Sequence, residues 1–550
     1  MRQSVIFSLL FFACFICRGE HLFVGIMETE DYKSLELSIS AFANASRTPE
    51  IKELLPEKGA QLTALPVFSG FDRNKRIRII QTIDPDEPLS DINPANIAIL
   101  PIIDGGKAIE KILKTTYKSR SYWRSDINIY ENPSSTKNFN LVAVAKAGRY
   151  LLTSRSKGAL LWAIKHTKLI NAAPLKQKGA LKFLINPQRT AAVINAKANP
   201  TLLPIFKPIE ILQELKMCTL AITIDNQRLT VTADATPLAG TPLTTLAKNL
   251  NKPDESLLNS VPPGAFLSSI SKCTEPEIWN RFSLNLQDYV VPAFTALNQR
   301  ALFTGERMQY LAPTPDRKGL VFVQVETIKD AVNLQRSITK LDKLMPQDSQ
   351  VVLKKITPPK DSSVTSYEVH IKKDDKKSET YAIKAIASLF IEHANLELTI
   401  KEDKLITVLG RSGSIKAVIE GMPGSPRNLS LLKEIHIRND DLDESILTGT
   451  KLQLSKLVRF TASIIPNITK QQLDILPLGG YGSTFGLSKK RTGSIKASFQ
   501  ISADEIHALK SIGTDGRELM QKLLISMLMK RIEKVNESSK EKDDSEEKAG

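Results

Sequence analysis

Apolar and polar positions along the chain follow two periods, and the switches between them mark the elements. His21 to Met27 reads as a strand, and the run Asp31 to Ala45 after it has helical spacing. Gly264 to Ile270 reads in the same way and is followed by the helical run Glu277 to Val290. Ala98 to Asp104 is a strand ending in an acid before a helix over Lys107 to Lys114. Leu320 to Glu326 is its counterpart before a helix over Ile328 to Ile338. An acid at the start of a helix satisfies orphan amides and meets the positive end of the helix dipole, so Asp104 and Glu326 are the expected caps.

The later units correspond more closely. Phe139 to Ala145 and Arg149 to Thr153 form a predicted hairpin, followed by Arg155-Ser156 and a helix over Ala159 to His166. Leu396 to Ile400 and Lys404 to Leu409 form another, followed by Arg411-Ser412 and a helix over Ile415 to Glu420. Ser156 and Ser412 stand where a hydroxyl caps a helix. Leu181 to Asn186 is matched with Leu432 to Ile437. The hairpin Leu220 to Ala233, with helix Pro242 to Leu250, is matched with Ser494 to Ile501 and helix Ala503 to Lys510. Matching units are displaced by 243 residues (21 to 264), 222 (104 to 326) and 256 (155 to 411).

This ordered series predicts a tandem duplication, with halves at 20–262 and 263–535 divided at Pro262-Pro263-Gly264. Hairpins with tight polar turns predict mainly antiparallel, twisted sheets, and the strand-to-helix steps predict helices packed on one face. The expected fold class is therefore α+β, in two internally duplicated domains.

The order of units resembles that of exported bacterial protein families built on a domain of unknown function. Pro101 to Asp104, Arg149 to Ala159, Gly240 to Leu250 with Leu257 to Phe266, and Leu476 to Gly486 carry the resemblance. Val323 to Glu326 departs from it, because the proline and aspartate are absent there. The resemblance implies architecture and export and brings no activity with it.

The ends of the chain read differently from its body. Arg2, an apolar run from Val5 to Cys17 and the site Cys17-Arg18-Gly19 predict a signal peptide over 1–19, removed before Glu20. Acylation of Cys14 or Cys17 is the alternative, and the residues before either cysteine match a lipidation box poorly. No later run is long and apolar enough for a transmembrane helix. The expected location is the periplasm or the extracellular space. Leu519 to Val535 carries an apolar face at helical spacing, and the charged tail 536–550 is expected to be disordered.

Removal of residues 1–19 leaves Cys218 and Cys273. In an oxidising compartment they are candidates for a disulfide. Its loop of 273 − 218 = 55 residues would contribute about 4 kcal/mol in the chain-entropy model. Two separately buried thiols are the other reading.

Length and charge change the picture only in part. At 550 residues the chain exceeds one ordinary core, and its 42% hydrophobic and 24% charged content is that of a globular protein. The net charge of +16 would suggest nucleic acid in the cytosol. For an exported chain it suggests an anionic envelope component or another protein as partner, and no nucleic acid is expected.

No catalytic, metal or cofactor set emerges. Ser269 to Lys272, Ser283-Leu284-Asn285 and Arg491-Thr492-Gly493 have the order of a penicillin-binding-type set, but Ser269 falls in a predicted strand where the mechanism needs a helix. The glycines from Gly479 to Gly482 lack a following Gly-Lys-Ser/Thr and read as a strand connector. The leading expectation is an exported, non-enzymatic binding or structural protein. An envelope-acting hydrolase and a lipid carrier are the alternatives.

Overall fold

The computed structural model describes residues 22–54, 72–83, 95–103, 118–121, 128–131, 143–154, 156–166, 173–191, 208–254, 264–273, 302–314, 319–345, 351–357, 363–371, 394–421, 445–463, 482–489 and 493–514, with isolated positions between them. The expected signal peptide, Asp104, the helix over 277–290, the strand over 432–437, the apolar helical run 519–535 and the charged tail lie outside the described residues.

Ten strands belong to the first half: β1 (Leu22–Thr29), β2 (Arg78–Ile83), β3 (Ala95–Pro101), β4 (Lys118–Ser121), β5 (Asn128–Glu131), β6 (Ala143–Ala147), β7 (Tyr150–Ser154), β8 (Leu181–Ile185), β9 (Leu215–Ile224) and β10 (Arg228–Pro237). The second half adds β11 (Leu267–Lys272), β12 (Phe303–Pro313), β13 (Leu320–Ile328), β14 (Val351–Ile356), β15 (Thr365–Ile371), β16 (Asn395–Lys401), β17 (Lys404–Gly410), β18 (Ser445–Leu452), β19 (Ser483–Lys489) and β20 (Ile495–Ser502). The helices used below are α1 (Tyr32–Ala45), α2 (Lys157–Lys165), α3 (Pro208–Gln213), α4 (Pro242–Asn249), α5 (Ala331–Ile338), α6 (Leu341–Leu344), α7 (Ser414–Gly421), α8 (Leu454–Ser463) and α9 (Ala503–Thr514).

All described strand pairs are antiparallel and join into one sheet. The first half runs β4-β5-β6-β7-β3-β2-β1-β8-β9-β10. The second runs β14-β15-β16-β17-β13-β12-β11-β18-β19-β20. One order is the other with every strand number raised by ten. The halves meet where β10 pairs with β20, from Arg228 opposite Ser502 to Ala235 opposite Ile495. At the place that β8 holds in the first order, the second has β18; the segment 432–437 lies outside the described residues.

Helices cover both faces of the sheet, which corrects the expectation of one. Neighbouring residues of a strand point to opposite faces. Met27 packs with Tyr32, Leu35 and Ile39 of α1, and with Leu243 and Leu246 of α4. Ile26 beside it packs with Leu160 and Ala163 of α2. In the second half Leu405 and Leu409 share a cluster with Leu334 and Ile338 of α5 and Leu341 of α6. Ile406 and Val408, on the other side of β17, pack with Ile415 of α7. Strands buried on both sides read as near-continuous apolar runs, as Lys404–Gly410 does.

Buried carboxylates lock these layers. Glu28 on β1, 1% exposed, takes the Arg78 guanidinium at 2.7 Å and the Leu175 amide at 3.1 Å. Lys182 lies opposite Glu28 on the other side, so a +/−/+ row crosses β8, β1 and β2. Arg78 also donates to the Ala173 carbonyl, which fastens the 173–175 segment over the row. Burial makes such a row costly to form and costlier to break.

Candidate functional site

Helix capping decides which carboxylates are left for chemistry. Ser156 caps α2 as expected, accepting from the Ala159 amide at 3.2 Å. Glu326 is no cap. It lies inside β13, and α5 is capped by Asp330, which accepts from the Asn333 amide at 3.0 Å. The strand continues two residues beyond Glu326, to Ile328, so the acid cannot reach the helix start. Ser412 is exposed, and the amides at the start of α7 are taken by Glu397 of β16, from Gly413 at 2.6 Å and Ile415 at 2.8 Å. Glu214 accepts from the Leu243 amide at the start of α4. Glu505 accepts from the amide and hydroxyl of Ser455 at the start of α8. Burial holds the Glu505 carboxyl above the usual carboxylate range, against the lowering effect of the Ser455 bonds.

No disulfide joins Cys218 and Cys273, so of the two readings the structure has the separately buried thiols. Both are buried in the apolar cluster beneath α1 and α4. Cys218 lies on β9 opposite Ala235, while Cys273 bridges to Leu250. Burial, and secondarily Asp234, pushes the Cys218 thiol up to about 12.

The arrangement that stands apart is a transverse row on the face carrying α1, α4, α5 and α6. Register pairs connect Phe499 (β20), Phe485 (β19), Thr450 (β18), Ser269 (β11), Gln309 (β12), Gln324 (β13) and Thr407 (β17). Directly opposed residues on antiparallel strands share a face, so these seven side chains form one line. Six inter-strand steps make it roughly 29 Å long at about 4.8 Å each. It crosses the interval between the two apolar clusters of that face.

Its chemistry changes along its length. Phe499 and Phe485 are 40% and 37% exposed, large values for aromatic rings within a sheet. Thr450, Ser269 and Gln309 are half-buried, while Gln324 and Thr407 are buried. The hydroxyls of Ser269 and Thr450 lie 2.9 Å apart, and Gln309 Nε2 donates to Gln324 Oε1 at 2.8 Å. Gln324 Nε2 donates in turn to Glu326 Oε2 at 2.7 Å, and Arg307 holds Glu326 Oε1 at 2.6 Å. The charge pair is thus spent internally and supports the amides. Thr407 Oγ1 is buried with no partner among the described residues. One hydroxyl of the Ser269–Thr450 pair keeps its proton free, because only one of the two can donate in their mutual bond.

The spacing of Ser269 and Lys272 would suit a nucleophile pair only on a helix, and both residues lie on strand β11. Three residues apart on a strand, the two point to opposite faces, and Lys272 Nζ lies 3.4 Å from Glu306. The other members of that set, Ser283, Asn285 and Arg491, lie outside the described residues. Gly482 enters β19 at φ +78°, and a Cβ there would stand 2.5 Å from the Leu452 carbonyl, so the glycine serves a close strand approach. The basic cluster 73–78 is used within the fold: Arg73 pairs with Glu36, Lys75 with Asp72, and Arg76 and Arg78 with Glu28. Among the described residues no three His, Cys, Asp or Glu side chains gather as metal ligands, and no helix is long and apolar enough to cross a membrane.

Neither a family model nor a curated protein matches the chain. A solved chain described as the structure of crystal form I of TP0453 aligns at 10% identity. It covers 74% of this chain and 95% of its own length, at a TM-score of 0.16, a likeness that bears on neither fold nor function.

Proposed function

We propose that this chain is an exported, non-enzymatic binding protein, built by tandem duplication, whose ligand lies across the transverse row. The apolar N-terminal run with its Cys17-Arg18-Gly19 site supports export. The repeated strand order, displaced by ten, supports duplication with halves at 20–262 and 263–535. The observation that carries the binding role is the exposed Phe485–Phe499 pair continued by uncharged hydroxyls and amides. Duplicated halves need not keep the same surface, and here only the second contributes Thr450, Ser269, Gln309 and Gln324.

A thermal-shift screen of saccharides, fatty acids and peptides tests this reading on the full chain and on a Phe485→Ala/Phe499→Ala variant. At least one class is expected to raise the melting midpoint of the wild type and to leave the variant unchanged. No shift from any class, or equal shifts in both proteins, would overturn it.

A further inference from the structure

We infer that the ligand of this row is an extended, uncharged, β-linked glycan running across the strands, an assignment that rests on the row being a binding site. Four properties of the row select that chemistry.

The first is the pairing of flat apolar rings with neutral polar groups. Phe499 and Phe485 are exposed neighbours in register, a platform for the C–H face of a sugar ring. The next strands present the Thr450 and Ser269 hydroxyls and the Gln309 amide. Sugar hydroxyls both donate and accept, and so match hydroxyl and amide groups without any charge.

The second is the absence of an available charge along the line. Arg307 and Glu326 engage each other at 2.6 Å, with Gln324 on the second carboxylate oxygen. An anionic ligand would find no unpaired cation among the row's own seven residues. An acyl chain laid along it would cover the spare hydroxyl proton of the Ser269–Thr450 pair and the Gln309 amide oxygen without satisfying them, at a cost of about 1–3 kcal/mol per group.

The third is position within the sheet. A peptide is commonly captured by adding a strand to a free edge. Strands β20, β19, β18, β11 and β12 each pair on both sides, so their main chain is already used. Recognition here rests on side chains alone.

The fourth is spacing. The row offers one side chain per strand at about 4.8 Å, close to the advance of one ring in an extended β-linked glycan. From Phe499 to Gln309 it spans four such steps. Gln324 is a positioning residue: it accepts from Gln309 Nε2 and so turns the Gln309 amide oxygen away from itself.

Titration calorimetry of the full chain with cellohexaose and with chitohexaose tests the assignment. Binding of at least one is expected, tighter than for the matching disaccharide. Phe485→Ala, Phe499→Ala and Gln309→Ala should each weaken it about tenfold or more, a loss of about 1.4 kcal/mol, while Phe485→Trp restores stacking. The two Phe positions are exposed, and unchanged urea midpoints will show that their variants fold. No heat from either hexasaccharide, or affinities unmoved by the three alanine variants, would overturn the glycan assignment. If a fatty acid or peptide then raises the melting midpoint in a Phe485- and Phe499-dependent manner, the row stands as a binding site and only the glycan falls.

Discussion

Glu397, on β16, accepts the amide of Ile415 at 2.8 Å, so the start of α7 is capped from the neighbouring sheet. The same carboxylate takes the Gly413 amide at 2.6 Å and is 4% exposed. Replacing it leaves two amides of a helix start without their acceptor. Glu397→Ala should cost about 3 kcal/mol in a urea unfolding series, and Glu397→Gln about half as much. Ser412→Ala, at the position the sequence points to, should stay within about 0.5 kcal/mol of the wild type. The reverse ranking would restore the serine as the cap.

Arg78 depends on Glu28 in a stricter sense, because both are almost fully buried at 2.7 Å. Glu28→Ala would remove the carboxylate from between the buried Arg78 and Lys182 and leave Arg78 the Ala173 carbonyl in place of its counter-charge. The expected loss is about 3–5 kcal/mol, the range for breaking one partner of a buried pair. A double variant, Glu28→Leu with Arg78→Met, should recover much of that loss. A double variant as unstable as the single would mean that the pair is more than a packing unit.

Glu505 makes stability depend on pH in a defined direction. Its folded pKa is raised, mainly by burial, so protonation favours the folded state. That contribution is complete below the ordinary carboxylate value and is lost as pH rises through the folded value. Glu505→Gln imitates the protonated form and should match the wild type near pH 4. It should become the more stable of the two as pH rises toward about 8. Urea midpoints of both proteins across that range decide it, and a flat difference would contradict the assignment.

Cys218 and Cys273 should be recovered as separate alkylated peptides in non-reducing mapping. The Cys218 thiolate is scarce at neutral pH, with its pKa up to about 12 and its thiol buried beneath α1 and α4. Native protein should therefore react slowly with iodoacetamide, and far faster in denaturant. A disulfide-linked peptide would show that the candidate bridge forms after all.

How much of this was legible beforehand depends on the range of the interaction involved. The hairpin of Leu396 to Ile400 with Lys404 to Leu409 and the Ser156 cap are local matters of turn chemistry and a hydroxyl three residues from an amide, and both could be read from the chain. The Glu326 reading failed because alternation alone does not say where a strand ends. The run Leu320–Ile328 goes two residues past the acid, and Asp330 takes the capping role. Nothing near Ser412 announced Glu397, fifteen residues upstream and on another strand.

The transverse row has the same character. Its polar alternation, Gln324 between Val323 and Val325 with Glu326 next in the alternation, is visible in the sequence, as are Ser269 and Ser271. Their alignment with Phe485 and Phe499 is not, because it depends on which strands pair and in what register. The sequence by itself determined local elements, the order of units and the apolar N-terminal run, since these follow from period, capping and composition over a few residues. Only the tertiary structure decided that the sheet runs unbroken through β10 and β20, that helices cover both faces, and that two phenylalanines meet five polar side chains in one line. Strand pairing joins residues hundreds of positions apart, and no local preference encodes that choice.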